Sequence, residues 1–414
     1  MEEWKKIFSN RNFFYLFVSQ NLSQVTIQLL NFLFILKIYS ETGSSLATSI
    51  VWIFYALPSL IFGPFAATLV DFFDRRKLLI YTNLFQAVLV FLLSFLFGKS
   101  IFTIYFVVFL YSTLNQLYVP AETVSLTEVV KKKDLSVANG VFFTSTQVAI
   151  IFGFLIAGIF NKFLGFSITL YISSIFLLIA FVSVTFLPST VTKKTALNLE
   201  SNLMEFIKEI FEGYNYIRSN QKLLYSYILQ IIMTASLTVV VVNIPEISKT
   251  LLRMHSDLGS IFIVLPTVIG SIASSYLIPK LLLKNRRKIK IIYKSLMTLV
   301  FVLFFLAIIF PEINNQTIRI LIQVLSFGVL GYSFVGVVIP LQTLIQEESP
   351  VKLRGRVLGN LWFVTTLINI FPILFSGIIS EVFGIRVLLT ILFFMFLAIT
   401  IFIKKNQSKL YVEL

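Results

Sequence analysis

The sequence predicts an all-α integral membrane protein of about twelve transmembrane helices in two pseudo-symmetric six-helix bundles. Three observations predict it. Of 414 residues, 57% are apolar and only 13% are charged, with a mean hydropathy of +0.91, which leaves too little polar surface for a soluble body of this size. Segments free of Asp, Glu, Lys and Arg, long enough to cross ~30 Å of hydrocarbon as helix, recur along the whole chain. Landmarks of the first half also return in the second half in the same order.

The charge-free segments fall at 12–36, 42–70, 78–97, 100–121, 135–161, 163–188, 223–245, 258–279, 295–311, 320–346, 357–380 and 387–403. The segments 295–311 and 387–403 approach the lower length limit, and Lys294 is placed to reach the interface. The first segment is long, studded with polar residues and without a cleavage-site pattern, so it reads as a retained helix rather than a signal peptide. Within it Asn21, Gln24, Gln28 and Asn31 fall at intervals of three and four, one side of a helix. Between the second and third segments lies GPFAATLVDFFDRRK, with Gly63, Asp71, Asp74, Arg75 and Arg76 in a short stretch between two spans, where a charged turn belongs at the membrane surface.

The fourth segment carries a second stripe, Tyr111, Asn115, Tyr118 and Glu122. Lipid offers polar side chains no hydrogen bonds, so they face a cavity or a partner helix. Two stripes together favour a central cavity, with Gln147, Gln230, Thr234 and Asn369 as weaker members; each single residue is equally explained by interhelical hydrogen bonding. Glu122 ends its stripe and is the candidate proton-coupling group, against the alternative of a solvated or salt-bridged glutamate near the basic loop that follows.

Residues 189–222 form the longest stretch between spans. There Leu203, Phe206, Ile207, Ile210, Phe211, Tyr214 and Ile217 recur at helical spacing opposite Glu205, Lys208, Glu209 and Glu212, predicting an amphipathic interfacial helix that links the halves, with a plain tether as the alternative. The organisation is therefore 1–188, first bundle; 189–222, linker; and 223–414, second bundle with a short tail. FGFLIAGIFNKFLG, ending at Gly165, pairs with FPILFSGIISEVFG, ending at Gly384, and VPAET at 119–123 pairs with IPLQT at 339–343. A parallel duplication of one six-helix unit explains the shared order.

Most of the lysines and arginines fall on alternate loops together with both termini, which places the termini in the cytoplasm and requires an even number of crossings. The net charge of +15 is dispersed over short loops, which argues against nucleic acid as a partner. With no cysteine, no nucleotide loop, no metal-ligand cluster and no paired acid/base site, the sequence predicts no cofactor, no metal and no enzyme.

The Gly63–Asp71–Arg75 spacing resembles the loop signature between helices 2 and 3 of major facilitator superfamily transporters, with Phe72 standing where that family places an arginine. PAETVSLTEVVKKKDLSVANG at 120–140, Gly153 with Gly158, and LRGRVLGN at 353–360 resemble its macrolide-efflux and enterobactin-exporter branch. Two further departures stand out: Phe154 replaces the proline of the fifth-span Gly-Pro motif, and KNRRKIK at 284–290 keeps the basic cluster of the 2–3 loop but not its aspartate. The resemblance implies a monomeric exporter of amphiphilic small molecules in a bacterial cytoplasmic membrane, working by alternating access with protons as the coupling ion. A dedicated exporter of one metabolite or siderophore, or a membrane enzyme on a lipid-linked substrate, are the alternatives. The resemblance also implies that Asp71 closes the cytoplasmic side against the start of helix 11, near Arg354 and Arg356; the alternative is that the charges only fix topology.

Overall fold

Twelve helices are long and apolar enough to cross a membrane in the computed structural model, which describes residues 7–96, 100–131, 134–189, 208, 211–254, 256–285, 288–350 and 353–410. They are α1 (Arg11–Thr42), α2 (Ser45–Phe72), α3 (Arg75–Leu96), α4 (Ile101–Val129), α5 (Leu135–Leu164), α6 (Phe166–Thr185), α7 (Gln221–Val242), α8 (Ser256–Asn285), α9 (Lys288–Phe304), α10 (Gln316–Glu347), α11 (Arg354–Phe383) and α12 (Ile385–Leu410). No strand occurs among the described residues. Several helices outrun the charge-free segments. α4 continues past Glu122 to Val129, and α9 and α10 begin at Lys288 and Gln316, ahead of the expected 295 and 320. Each residue of a helix satisfies its own backbone, so the helix need not stop at the first charge, and long basic side chains reach back to water.

The helix starts are chemically marked. Asn10 accepts from the amides of Asn12 and Phe13, Asp74 from Arg76, Ser100 from Phe102, Asn220 from Leu223, and Asn315 from Thr317 and Ile318. Each cap satisfies donors that the first turn leaves open. The turns closing the two repeats match. Gly165 has φ 81°, ψ 169° and Gly384 has φ 84°, ψ 159°, a region essentially reserved for glycine, so one tight α5–α6 and one tight α11–α12 corner use the same residue. Pro120 and Pro340 likewise sit inside α4 and α10.

The chain resolves into two compact units, one of Met1–Ile38 with Ile50–Phe206, the other of Tyr39–Ser49 with Ile207–Leu414. In unit 1, α3 meets α6 through Ser174 Oγ, which donates to the Ala87 carbonyl at 3.0 Å, and meets α4 through Gln86, which donates to the Tyr111 carbonyl. α1 is tied to α6 by Ser183 Oγ, which donates to the Tyr15 carbonyl at 2.8 Å. Phe13, Leu16, Val70, Leu79, Tyr118 and Val184 close one end of the bundle as an apolar cluster. α5 approaches α1 most closely at Gly153, where an added methyl carbon would lie 2.5 Å from Gln28 Cβ and 2.9 Å from the Val25 carbonyl oxygen.

In unit 2 the tight contacts are glycine contacts. A methyl on Gly270 would lie 1.8 Å from the Gly328 carbonyl oxygen, and one on Gly331 would lie 2.0 Å from that of Thr267, so α8 and α10 pack backbone to backbone. After α7 the chain passes through a π-turn at Ile247–Leu251, and after α9 through another at Phe305–Ile309. Arg319, only 2% exposed, joins these two regions by donating to the carbonyls of Leu251 and Ile313 beneath the Phe310 ring. Of the expected linker helix, Phe211 to Ser219 is helical and residues 203, 206, 207 and 210 lie outside the described residues. Ile217 is fully buried with Leu223, Tyr227, Ile345 and Val357, while Phe211 and Tyr214 are exposed. Phe102, Phe163, Phe301 and Leu325 are likewise exposed, the surface a hydrocarbon solvent covers.

Candidate functional site

Tyr118 of the α4 stripe meets α1 inside unit 1, beside that helix's polar stripe. Tyr118, fully buried, shares a 3.0 Å hydrogen bond with Ser19, whose oxygen accepts from Asn83 of α3; Ser23 Oγ in turn donates to Asn83 Oδ1 at 2.9 Å. Next to this knot, Gln20 donates to Thr146 and accepts from Ser145 of α5, and Asn21 donates to Gln20 Oε1 and to the Phe17 carbonyl. One helical turn beyond Tyr118 along α4 sits Glu122, 6% exposed, with Oε1 lacking any hydrogen-bond partner among the described residues. Further along α4 in the other direction, Tyr111 and Tyr55 of α2 adjoin Asn31 of α1.

The expected cavity residues therefore divide. Tyr118 and Asn21 are spent on hydrogen bonds between or within helices, Asn31 and Tyr111 are buried against Tyr55, and Gln24, Gln28 and Asn115 remain half-buried. In unit 2, Gln230 is 7% exposed with Oε1 unpartnered, Thr234 donates to the Gln230 carbonyl, and Asn369 Oδ1 is unpartnered, each among the described residues. The Gln147 side chain lies outside the described residues.

The network missed from sequence is Ser19, Gln20, Ser23, Asn83, Ser145 and Thr146. Ser19 and Ser23 lie beside the α1 stripe, four residues apart on the same helix, and Asn83 with Gln86 puts two amides one turn apart on an otherwise apolar α3. That second spacing was the available signal, since an amide in hydrocarbon must find a partner.

The charged residues of the 2–3 turn are tied to helices of their own unit. Arg75 pairs with Glu128 at the end of α4, Arg76 donates to the Thr185 carbonyl at the end of α6, and Asp74 caps α3. These bonds lie within unit 1. A methyl built at Gly63 meets nothing within 4 Å among the described residues, whereas one built at Gly153 meets α1. The side chains of Asp71, Arg354 and Arg356 lie outside the described residues. Unit 2 carries a counterpart that sequence did not disclose. Lys288, first residue of α9, pairs with Glu347, last residue of α10, as Arg75 at the start of α3 pairs with Glu128 near the end of α4.

Twelve membrane-length helices, with inward amides and an unpartnered buried carboxylate oxygen at Glu122 among the described residues, are compatible with several transport families. The family model of the Major Facilitator Superfamily matches residues 16–371. The chain belongs to the Major Facilitator Superfamily. It is a multi-pass membrane transporter and not an enzyme. Among curated relatives, this superfamily member is 24% identical over 349 residues to the uncharacterised MFS-type transporter YfiS of Bacillus subtilis, covering 83% of this chain and 80% of the relative. It is 26% identical over 317 residues to BacE of the same organism, whose name proposes it as a bacilysin exporter, covering 75% and 74%. A mutant form of the nucleoside transporter NupG shares the fold at a TM-score of 0.71 with 14% identity, covering 96% of this chain and 99% of that one. A bacterial homologue of the human lysosomal transporter Spinster superposes at 0.63 with 12% identity, covering 89% and 81%.

Proposed function

We propose that this transporter exports amphiphilic small molecules from the cytoplasm or inner leaflet by alternating access, driven by proton entry through Glu122. The carrying observation is that carboxyl group: buried, at the end of the α4 stripe, with an oxygen unpartnered among the described residues. A buried carboxylate without a cation is costly, so the group calls for a partner that arrives and leaves during the cycle. A proton does this, and binding that differs between two conformations is what couples a gradient to movement. Supporting the exporter direction are the sequence resemblance to the macrolide-efflux and enterobactin-exporter branch and the name carried by BacE. Asp71 would close the cytoplasmic side against the first turn of α11, near Arg354 and Arg356, where a carboxylate complements a helix N-terminus. Both termini would face the cytoplasm.

The test is Glu122→Gln in everted vesicles carrying a protonatable lipophilic dye. Uphill dye movement should fall by about two orders of magnitude, while downhill exchange and dye binding persist and the pH dependence flattens. Pumping against a gradient with an unaltered pH profile would make Glu122 structural and remove proton antiport from the proposal. A second reading, a dedicated exporter of one compound, is favoured by BacE alone. Competition by a panel of unrelated amphiphiles separates the two, since a dedicated exporter ignores most of the panel.

A further inference from the structure

Residues 39–49 join α1 to α2, yet they belong to unit 2, while the remainder of both helices belongs to unit 1. Within unit 2 five contacts hold them. The Tyr39 hydroxyl donates to Glu246, and the Lys249 ammonium lies 5.8 Å over the Tyr39 ring. Ser44 Oγ accepts from the Ala47 amide at 3.1 Å, capping α2, and passes its own hydrogen to Glu381 at the end of α11; the Leu46 amide donates to the same carboxylate oxygen at 3.2 Å. Thr48 Oγ1 donates to the Val242 carbonyl at the end of α7. One turn before Glu381, Gly377 leaves no space: a methyl carbon there would lie 2.5 Å from Ser49 Oγ and 2.9 Å from both Leu46 Cα and the Ser45 carbonyl oxygen.

This assembly holds a segment that is covalently continuous with unit 1 at both of its ends. Rocking of the two halves must either break these bonds or bend α1 and α2 near residues 38 and 50. Breaking them is the easier course. Glu381 is exposed and Ser44 half-buried, so once released their polar groups return to water, whereas bending an α-helix strands backbone groups. The Glu381 carboxylate also faces the open amides of a helix start, where negative charge is favoured, which makes it the strongest single tie.

We infer that Glu381, with Glu246, is a releasable clasp on the α1–α2 turn, fastened in one conformation of the transport cycle and open in the other. The clasp rests on alternating access, and on neither the substrate nor the proton coupling proposed above. At this end Glu381 of α11 caps the start of α2.

The chain contains no cysteine, so spin labels can be placed singly at Glu41→Cys and Phe383→Cys, both exposed positions flanking the clasp. In lipid nanodiscs the label pair should show two distances, the shorter belonging to the fastened form. Glu381→Ala should deplete the shorter population roughly tenfold, Glu381→Gln, whose amide oxygen still accepts from Ser44 and Leu46, should retain most of it. Gly377→Leu, which wedges the same contact without touching a carboxylate, should deplete it as well. A single distance in the parent protein, or a shorter population unchanged in both Glu381→Ala and Gly377→Leu, overturns the clasp. Glu122→Gln in the same labelled background should keep two distances, so a failure of the proton-coupling proposal and a failure of the clasp read out separately.

Discussion

At the scale of single residues, glycine shows how sequence and structure divide the work. Gly63 sits in a recognisable spacing and Gly153 in a second one, but spacing does not say which glycine faces a neighbouring backbone. The coordinates do. A methyl at Gly153 would meet Gln28 and Val25 of α1, and one at Gly63 would meet nothing within 4 Å among the described residues. Gly153→Ala should therefore cost about 1–3 kcal/mol through overpacking, seen as a lower midpoint of thermal unfolding in detergent. Gly63→Ala should be within about 0.5 kcal/mol of the parent, because it fills open space and favours helix. Equal losses at both positions would contradict the packing at Gly153. The polar stripes were legible in the same partial way. Period alone found Asn21, Asn31, Tyr118 and Glu122, since an inward polar face must repeat with the helix. Period could not tell that Tyr118 is consumed by Ser19 while Glu122 keeps an oxygen without a partner among the described residues, because that depends on which helix lies opposite.

Among elements, the legible part is what local chemistry dictates: helix count, caps and the two Gly-only corners. Gly165 and Gly384 matched in the repeated sequence, and they match in backbone conformation. The paired braces were not legible, because Arg75 and Glu128 lie far apart in sequence, as do Lys288 and Glu347, and the absence of an aspartate in KNRRKIK drew attention from its lysine. The brace of unit 1 is the more enclosed, with Arg75 and Glu128 side chains 14% and 32% exposed. Glu128→Arg should set two cations against each other and lower the unfolding midpoint. Adding Arg75→Glu should restore most of the loss, with a coupling energy of about 1 kcal/mol in a double-mutant cycle. No recovery in the double variant would leave Arg75 held by its surroundings rather than by Glu128. A brace between the start of one helix and the end of the next fixes both as one rigid piece, which is what a half needs if it is to move as a body.

For the whole molecule, sequence foresaw twelve helices long and apolar enough to cross a membrane, since that follows from hydrocarbon thickness. It did not foresee that residues 39–49 would be grouped with unit 2, because a boundary between compact units depends on contacts and not on chain order. Sidedness is the remaining global property, and it rests on the distribution of lysine and arginine. The loops on the same side as the termini carry most of the positive charge, and basic residues near short loops resist translocation, so those loops should stay in the cytoplasm. Two exposed positions on opposite sides of that assignment test it in the cysteine-free chain. Asn314 precedes α10 on a sparsely charged turn, and Ser219 ends the described helix of the linker before α7. Asn314→Cys should react with an impermeant maleimide added to intact cells, and Ser219→Cys only after the membrane is opened. Six spans separate Ser219 from each terminus, so all three share one side, and labelling of Ser219→Cys from outside would invert both halves together and with them the export direction proposed here. Labelling of both positions from outside would break the count of spans between residues 219 and 314, which the three helices α7, α8 and α9 make odd.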